Sequence, residues 1–232
     1  MRNLLAVLAL SMFPATAPAA EDQPVLVELF TSQGCSSCPP ADAFLHELAE
    51  REDVLPLALH VDYWDYIGWK DIFADPAHTE RQRAYAKAAG RRMVYTPQMI
   101  IDGQDHIVGN RPRDVTALIE KHRGEPREIT VELDRLEDGR LRILCRSDRT
   151  TPVALDLRLL RYRPHSTVEI TRGENAGRTL DYANIVTEMR DLGRWDAVEP
   201  MDMDIDISGD APIVVIAQRA GPGEVMAVAR LR

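Results

Sequence analysis

Cys35 and Cys38 stand two residues apart in the run Thr31-Ser32-Gln33-Gly34-Cys35-Ser36-Ser37-Cys38-Pro39-Pro40. An apolar stretch of β type, Val25 to Phe30, leads into them, and a helical stretch, Ala41 to Glu50, follows. Cys35 therefore falls where a strand turns into a helix. The first amides of a helix point outward unpaired, and the aligned peptide dipoles favour negative charge there. A thiol so placed ionises readily, with a pKa of roughly 3.5–7.5 in comparable cysteines. The pattern points to thiol–disulfide chemistry, with Cys35 as nucleophile and Cys38 as the residue that resolves the mixed disulfide. A purely structural disulfide and a metal site are the competing readings. Zinc would need two further ligands, and His60 and His106 repeat no ligand spacing, so neither a metal nor a cofactor is expected.

Four other groups stand out beside that pair. Glu28 lies among Val25, Leu26, Val27, Leu29 and Phe30, where partial desolvation would raise a carboxyl pKa. Tyr63, Trp64, Tyr66, Trp69 and Phe73 crowd one segment of a chain otherwise poor in aromatics. They read either as a cap over the cysteine pair lining a substrate cleft, or as a core wedge; the wedge is favoured for most of them. Asp62, Asp65 and Asp71 read as caps or solvated groups. Cys145 is in phase with Leu141 and Ile143, on the apolar face of its strand, and behaves as a small hydrophobe.

The elements that would position these residues follow from periodicity. Ala41, Phe44, Leu45 and Leu48 recur at helical spacing behind Pro39 and Pro40, which the first helical turn tolerates. Val54 to Val61 reads as a second strand, parallel to the first if a helix crosses between them. Asp75-Pro76 starts a helix that Gly90 ends. Met99-Ile100-Ile101 and Ile107-Val108 flank a hairpin turn at Asp102-Gly103, and a last helix begins at Asn110 and Pro112. A boundary follows at Gly124-Glu125-Pro126. Beyond it come short alternating strands: Ile129–Leu136, Leu141–Ser147, Val153–Tyr162, Ser166–Thr171, Met201–Ile207, Ile213–Arg219 and Glu224–Leu231. Arg172 to Pro200 reads as a long excursion with a short helix near Ile185 to Arg190.

At the N-terminus, Arg2, the apolar Leu4 to Phe13 and the small-residue Ala17-Pro18-Ala19 read as a secretory leader, residues 1–19. That apolar stretch is too short to span a bilayer, and no membrane insertion is expected. Export, to a periplasm or beyond, would put the cysteines in an oxidising compartment. Three cysteines are too few for a disulfide framework. A formal charge of −9 argues against a nucleic-acid partner, which would need a basic face.

Leu29-Phe30-Thr31-Ser32-Gln33-Gly34-Cys35-Ser36-Ser37-Cys38-Pro39-Pro40-Ala41-Asp42 resembles the signature of a secreted thioredoxin-like family known as domain of unknown function 1223. His60 to Asp71, Tyr95-Thr96-Pro97-Gln98 and Arg172-Gly173-Glu174-Asn175 extend the resemblance over nearly the whole chain. The resemblance implies a thioredoxin-like α/β domain of order β-α-β-α-β-β-α over residues 24–124, and the strand spacing beyond it suggests an all-β antiparallel sandwich domain over 127–232. It also implies a cis-proline at Pro97 packed against the cysteines, with Thr96 beside it adjusting the redox poise. Glu28 would be the buried acid that serves the resolving cysteine, although it sits one residue further from the first cysteine than in thioredoxin. Tyr63, Trp64 and Trp69 would contact substrate. The expected function is thiol–disulfide exchange with a protein or a small thiol or disulfide; a non-catalytic binding module and a metal carrier are the alternatives.

Overall fold

Seven consecutive buried residues, Val25–Thr31, form the first strand (β1) of a computed structural model that describes residues 23–232. The expected leader lies outside the described residues. Helix α1 (Pro39–Ala49) follows, with the two prolines where no helical amide bond is required. Strand β2 (Val54–His60) runs parallel to β1, Val25 opposite Val54 and Thr31 opposite His60. A 3-10 turn at Asp65–Ile67 leads to α2 (Pro76–Ala88), whose N-cap Asp75 accepts from the Ala77 amide at 2.8 Å. Strands β3 (Gln98–Ile101) and β4 (Asp105–Val108) make the expected hairpin, and α3 (Pro112–Arg123) closes this half. Gly103 takes φ +71° in the hairpin turn, and a Cβ there would meet the Gly223 carbonyl at 2.2 Å, so no other residue fits.

The second half is β throughout: β5 (Ile129–Arg135), β6 (Leu141–Ser147), β7 (Leu155–Ile170), β8 (Arg178–Trp195), β9 (Met201–Ile205), β10 (Ile213–Arg219) and β11 (Val225–Leu231). Here the structure corrects the expected architecture. The chain is not a thioredoxin-like α/β domain followed by a separate sandwich. It is mostly β, with three helices among the described residues and one mixed eight-stranded sheet, order β11-β10-β7-β8-β2-β1-β3-β4, that runs across the expected junction at 124–126. The remaining strands form a small sheet, β5-β6-β9.

The reason lies in β2. All seven of its residues are buried, and an apolar strand of that kind cannot stand at a sheet edge. Strand β8 covers it, parallel, with Ala58 opposite Ile185, and the Asn184 amide donates to the Pro56 carbonyl at 2.8 Å. The expected excursion and helix within Arg172–Pro200 are thus mostly strand. The two strands expected at Val153–Tyr162 and Ser166–Thr171 are one continuous β7. Pro164 falls just beyond the stretch that β10 pairs, Ile213 with Arg161 through Arg219 with Leu155, so its missing N–H leaves no gap in that ladder.

Three apolar clusters result. Val27, Leu29, Phe44, Leu45 and Ile119 lie between the sheet and α1 with α3. Leu26, Phe30, Leu57 and Tyr85 lie on the opposite face, under α2. Ile143, Cys145, Leu157, Trp195 and Val215 join the small sheet to the β7-β10-β11 end of the large one. Cys145 is fully buried there, and burial pushes its thiol up to about 11.

Candidate functional site

The loop from β1 to α1 carries both cysteines. Cys35 and Cys38 are joined as a disulfide, their Cα atoms 5.4 Å apart, with Cys38 at the N-cap of α1. Ser36 and Ser37 are exposed, yet Cys35 is only 1 % and Cys38 0 % accessible. The pair thus lies just under the surface. The Ser37 hydroxyl reaches both Cys35 Sγ at 3.4 Å and the Thr96 carbonyl at 3.5 Å. The Thr96–Pro97 peptide is cis, and Thr96 is the residue that Ser37 joins to the Cys35 side chain.

Two segments close over this loop. From the aromatic stretch, Trp64 Nε1 donates to Thr96 Oγ1 at 2.8 Å and Trp69 Nε1 to Gln33 Oε1 at 2.8 Å. Tyr63 donates to Gln82 Oε1 at 3.1 Å, and burial pushes its phenol up to about 12. Tyr63, Trp64 and Trp69 are half-buried, whereas Tyr66 is exposed. From the turn between β7 and β8, Asn175 donates its side-chain amide to the carbonyls of Gln33 (2.9 Å) and Cys35 (3.0 Å). Arg178 Nη1 in turn donates to Asn175 Oδ1 at 3.0 Å. Asn175 is buried, and it clamps the cysteine loop from about 140 positions away in sequence.

Beneath the loop lies a polar cluster that sequence reasoning missed. Asp71 caps the Phe73 amide through Oδ1 at 2.9 Å but is buried instead of solvated: its Oδ2 accepts the Gln33 amide at 2.8 Å and stands 2.7 Å from His60 Nδ1. The His60 ring packs edge-on against Tyr182 and Phe73, at 5.0 and 5.3 Å between centroids. Asp42, one turn into α1, accepts the Thr31 hydroxyl at 2.7 Å through Oδ1. Among the described residues, Asp42 Oδ2, His60 Nε2 and Tyr182 Oη have no hydrogen-bond partner. The only sequence signal was Asp42 inside an otherwise apolar helix stripe.

Burial pushes the Asp42 carboxyl up to about 7, against the pull of the His60 charge and the Thr31 hydroxyl. An acid raised in the folded state holds its proton more tightly there than in the unfolded chain. Its protonated form therefore favours folding, and stability is lost as pH rises from about 4 to about 7. The expected outcome is an unfolding free energy, read by urea titration, that falls across that window by on the order of 1.4 kcal/mol per pH unit. The Asp42→Asn variant should lack the decline.

Glu28 is placed elsewhere. It faces away from α1, toward α2, and both its oxygens are held by Arg81, at 2.6 and 2.9 Å, with the Tyr85 hydroxyl donating at 2.6 Å. Gln218 joins the same buried network through Arg81 and Tyr85. The two histidines considered as ligands are also separated: His60 pairs with Asp71, whereas His106 meets Tyr85 edge-on, 5.8 Å between centroids, and is held below its usual pKa by burial. Among the described residues no group of three or more His, Cys, Asp or Glu is arranged to hold a metal ion. No helix among them is long and apolar enough to cross a membrane.

With this geometry in hand, the chain can be placed. Residues 26–218 match the family described as protein of unknown function (DUF1223), and the chain belongs to that family. It is similar to the crystal structure of protein AGR_C_4864 from Agrobacterium tumefaciens, at 30% identity and a TM-score of 0.76, covering 92% of this chain and 96% of that one. HBP35 of Porphyromonas gingivalis shares the fold at 14% identity and a TM-score of 0.60, covering 90% of this chain and 75% of that one. None of the curated proteins matches.

Proposed function

We propose that the protein is an exported thiol–disulfide exchange protein acting through Cys35 and Cys38 on a protein or small-molecule thiol or disulfide. The observation that carries this reading is a disulfide at a helix N-terminus, flanked by exposed Ser36 and Ser37 and adjoining Thr96. A cysteine motif that opens a helix directly after a strand, as in the thioredoxin-like superfamily, supports it. So does the leader-like pattern of residues 1–19, since an exported pair would meet an oxidising compartment.

With a dithiol as substrate, which is oxidised, a substrate thiolate attacks Cys35 Sγ, the Cys35–Cys38 bond breaks, and Cys38 leaves with the electron pair. A second substrate thiolate then attacks the mixed disulfide, releasing oxidised substrate and a Cys35 thiolate. The reverse sequence reduces a substrate disulfide: the Cys35 thiolate attacks it and expels one substrate thiolate, and Cys38 then attacks Cys35 Sγ, re-forming the protein disulfide and releasing the second substrate thiolate. In either direction Cys35 must first be uncovered.

A specific observation favours a second reading, a structural clip: both cysteines are almost completely inaccessible. A titration with glutathione buffers, read by alkylation and mass, separates the two. Exchange predicts reduction of the folded protein at a potential above about −280 mV, within reach of known oxidoreductases. A pair that stays oxidised until the chain unfolds would establish the clip.

A further inference from the structure

Among the described residues three large apolar side chains are exposed: Tyr66 at 80 %, Ile72 at 65 % and Met93 at 80 %. Single groups of this kind are ordinary on a protein surface. These three, however, all fall in the two segments beside the cysteine loop. Trp64 Nε1 ties one segment to the other through Thr96 Oγ1 at 2.8 Å. A chain reaches at most about 3.6 Å per residue, so the backbones of Tyr66 and Met93 lie within roughly 11 Å of the residues making that bond. On one side of the loop the Ile72 amide donates to Gln33 Oε1 at 3.4 Å. On the other the Thr96 carbonyl accepts the Ser37 hydroxyl at 3.5 Å. The apolar groups thus flank the loop that carries Cys35 and Cys38.

The charges of the same two segments are one-sided. Lys70, Arg91 and Arg92 are exposed, and among the described residues none of them makes an ion pair. On the neighbouring helix α2 the Arg81 and Arg83 charges are both taken, by Glu28 and Glu80. The nearby acids turn inward instead: Asp62 accepts the Thr79 hydroxyl at 2.6 Å, and Asp65 accepts the Asp71 amide at 3.1 Å. In a chain of formal charge −9, three free cations beside three bare apolar groups run against the average surface.

We propose that this rim docks an extended acidic and apolar segment of a client polypeptide, its apolar side chains on Tyr66, Ile72 and Met93 and its carboxylates on Lys70, Arg91 and Arg92. A small thiol such as glutathione has no large apolar side chain to offer such a rim. An anionic bilayer would meet the same cations but would repel a chain of this net charge. Opposite charge at the rim speeds encounter and selects partners, while the apolar contacts lose surface to water and supply the holding force. Docking stands by itself; only the later transfer of electrons to or from Cys35 rests on the exchange function proposed above.

The probe is a fluorescein-labelled nonapeptide of two phenylalanine-leucine-aspartate triplets spaced and flanked by glycine, read by fluorescence anisotropy with the oxidised protein. It should bind with a Kd of about 100 µM or tighter, and more weakly as salt rises from about 0.05 to about 0.5 M. Replacing its aspartates by lysine, or its phenylalanines and leucines by serine, should weaken it roughly tenfold or more. The combined variant Tyr66→Ser, Ile72→Ser, Met93→Ser alters exposed groups only and should lose binding by a similar factor. Arg91→Glu with Arg92→Glu should turn the preference toward the lysine peptide. The probe carries no cysteine, so a failed glutathione titration would leave this result standing, and a failed docking would leave exchange with a small thiol standing. The proposal is overturned by no anisotropy change at about 1 mM protein, by three peptides that bind alike, or by both variants binding as the parent does. It is equally overturned if the protein sediments with phosphatidylglycerol vesicles but ignores the acidic peptide, which would assign the rim to a lipid surface.

Discussion

Replacing Arg81 by methionine is expected to lower the unfolding free energy by about 3–5 kcal/mol, the usual effect of stripping one partner from a buried ion pair. Both partners are sealed: the Arg81 and Glu28 side chains are 2 % and 1 % accessible. Without the guanidinium, Glu28 would keep the Tyr85 hydroxyl alone, and Gln218 would lose its own contact to Arg81. Urea unfolding followed by far-UV circular dichroism reads the change in midpoint. The double variant Glu28→Gln, Arg81→Met should recover a large part of the loss, since no uncompensated charge remains. A single variant as stable as the parent would mean that the network contributes little. Because Glu28 is tied to α2 by this network, Glu28→Gln should also leave the reduction potential of the cysteine pair unchanged.

The second large effect concerns access to the disulfide. Asn175→Ala removes both donors that hold the Gln33 and Cys35 carbonyls, and Arg178 loses its acceptor on that side chain. Each buried hydrogen bond left unmade is worth about 1–3 kcal/mol. If a reductant reaches Cys35 through local opening of the β7-β8 turn, the opening equilibrium sets the rate. The variant should then be reduced by dithiothreitol roughly ten to a hundred times faster than the parent, every 1.4 kcal/mol being about a factor of ten. Global stability, read in the same urea experiment, should fall by much less than the Arg81 variant loses. An unchanged reduction rate would show that the turn does not guard the pair.

Local patterns were legible in the sequence. The strand-to-helix placement of Cys35, the cap at Asp75, the Asp102-Gly103 turn and the buried phase of Cys145 each follow from residues a few positions apart, and the structure has them. What failed depended on distant pairing. Nothing local in Arg172–Pro200 says that this stretch is the strand that covers β2. The continuous burial of Val54–His60 was the available clue, because such a strand needs neighbours on both sides. The site behaved likewise. Asn175 belongs to a quoted motif, but its task appears only when the β7-β8 turn folds back onto the cysteine loop. Arg81 could have been suspected as a partner for Glu28, since His78, Arg81, Gln82 and Tyr85 make a helical stripe that is buried in the structure. Asp71 reads as a cap or solvated group until Gln33 and His60 converge on it.

The shared sheet also dictates how the gene can be cut. A recombinant piece ending at Gly124 would strip β8 from the flank of β2 and present Val54–His60 as a raw, greasy ribbon edge. Such a piece should stick to its own copies instead of standing alone as a small folded unit.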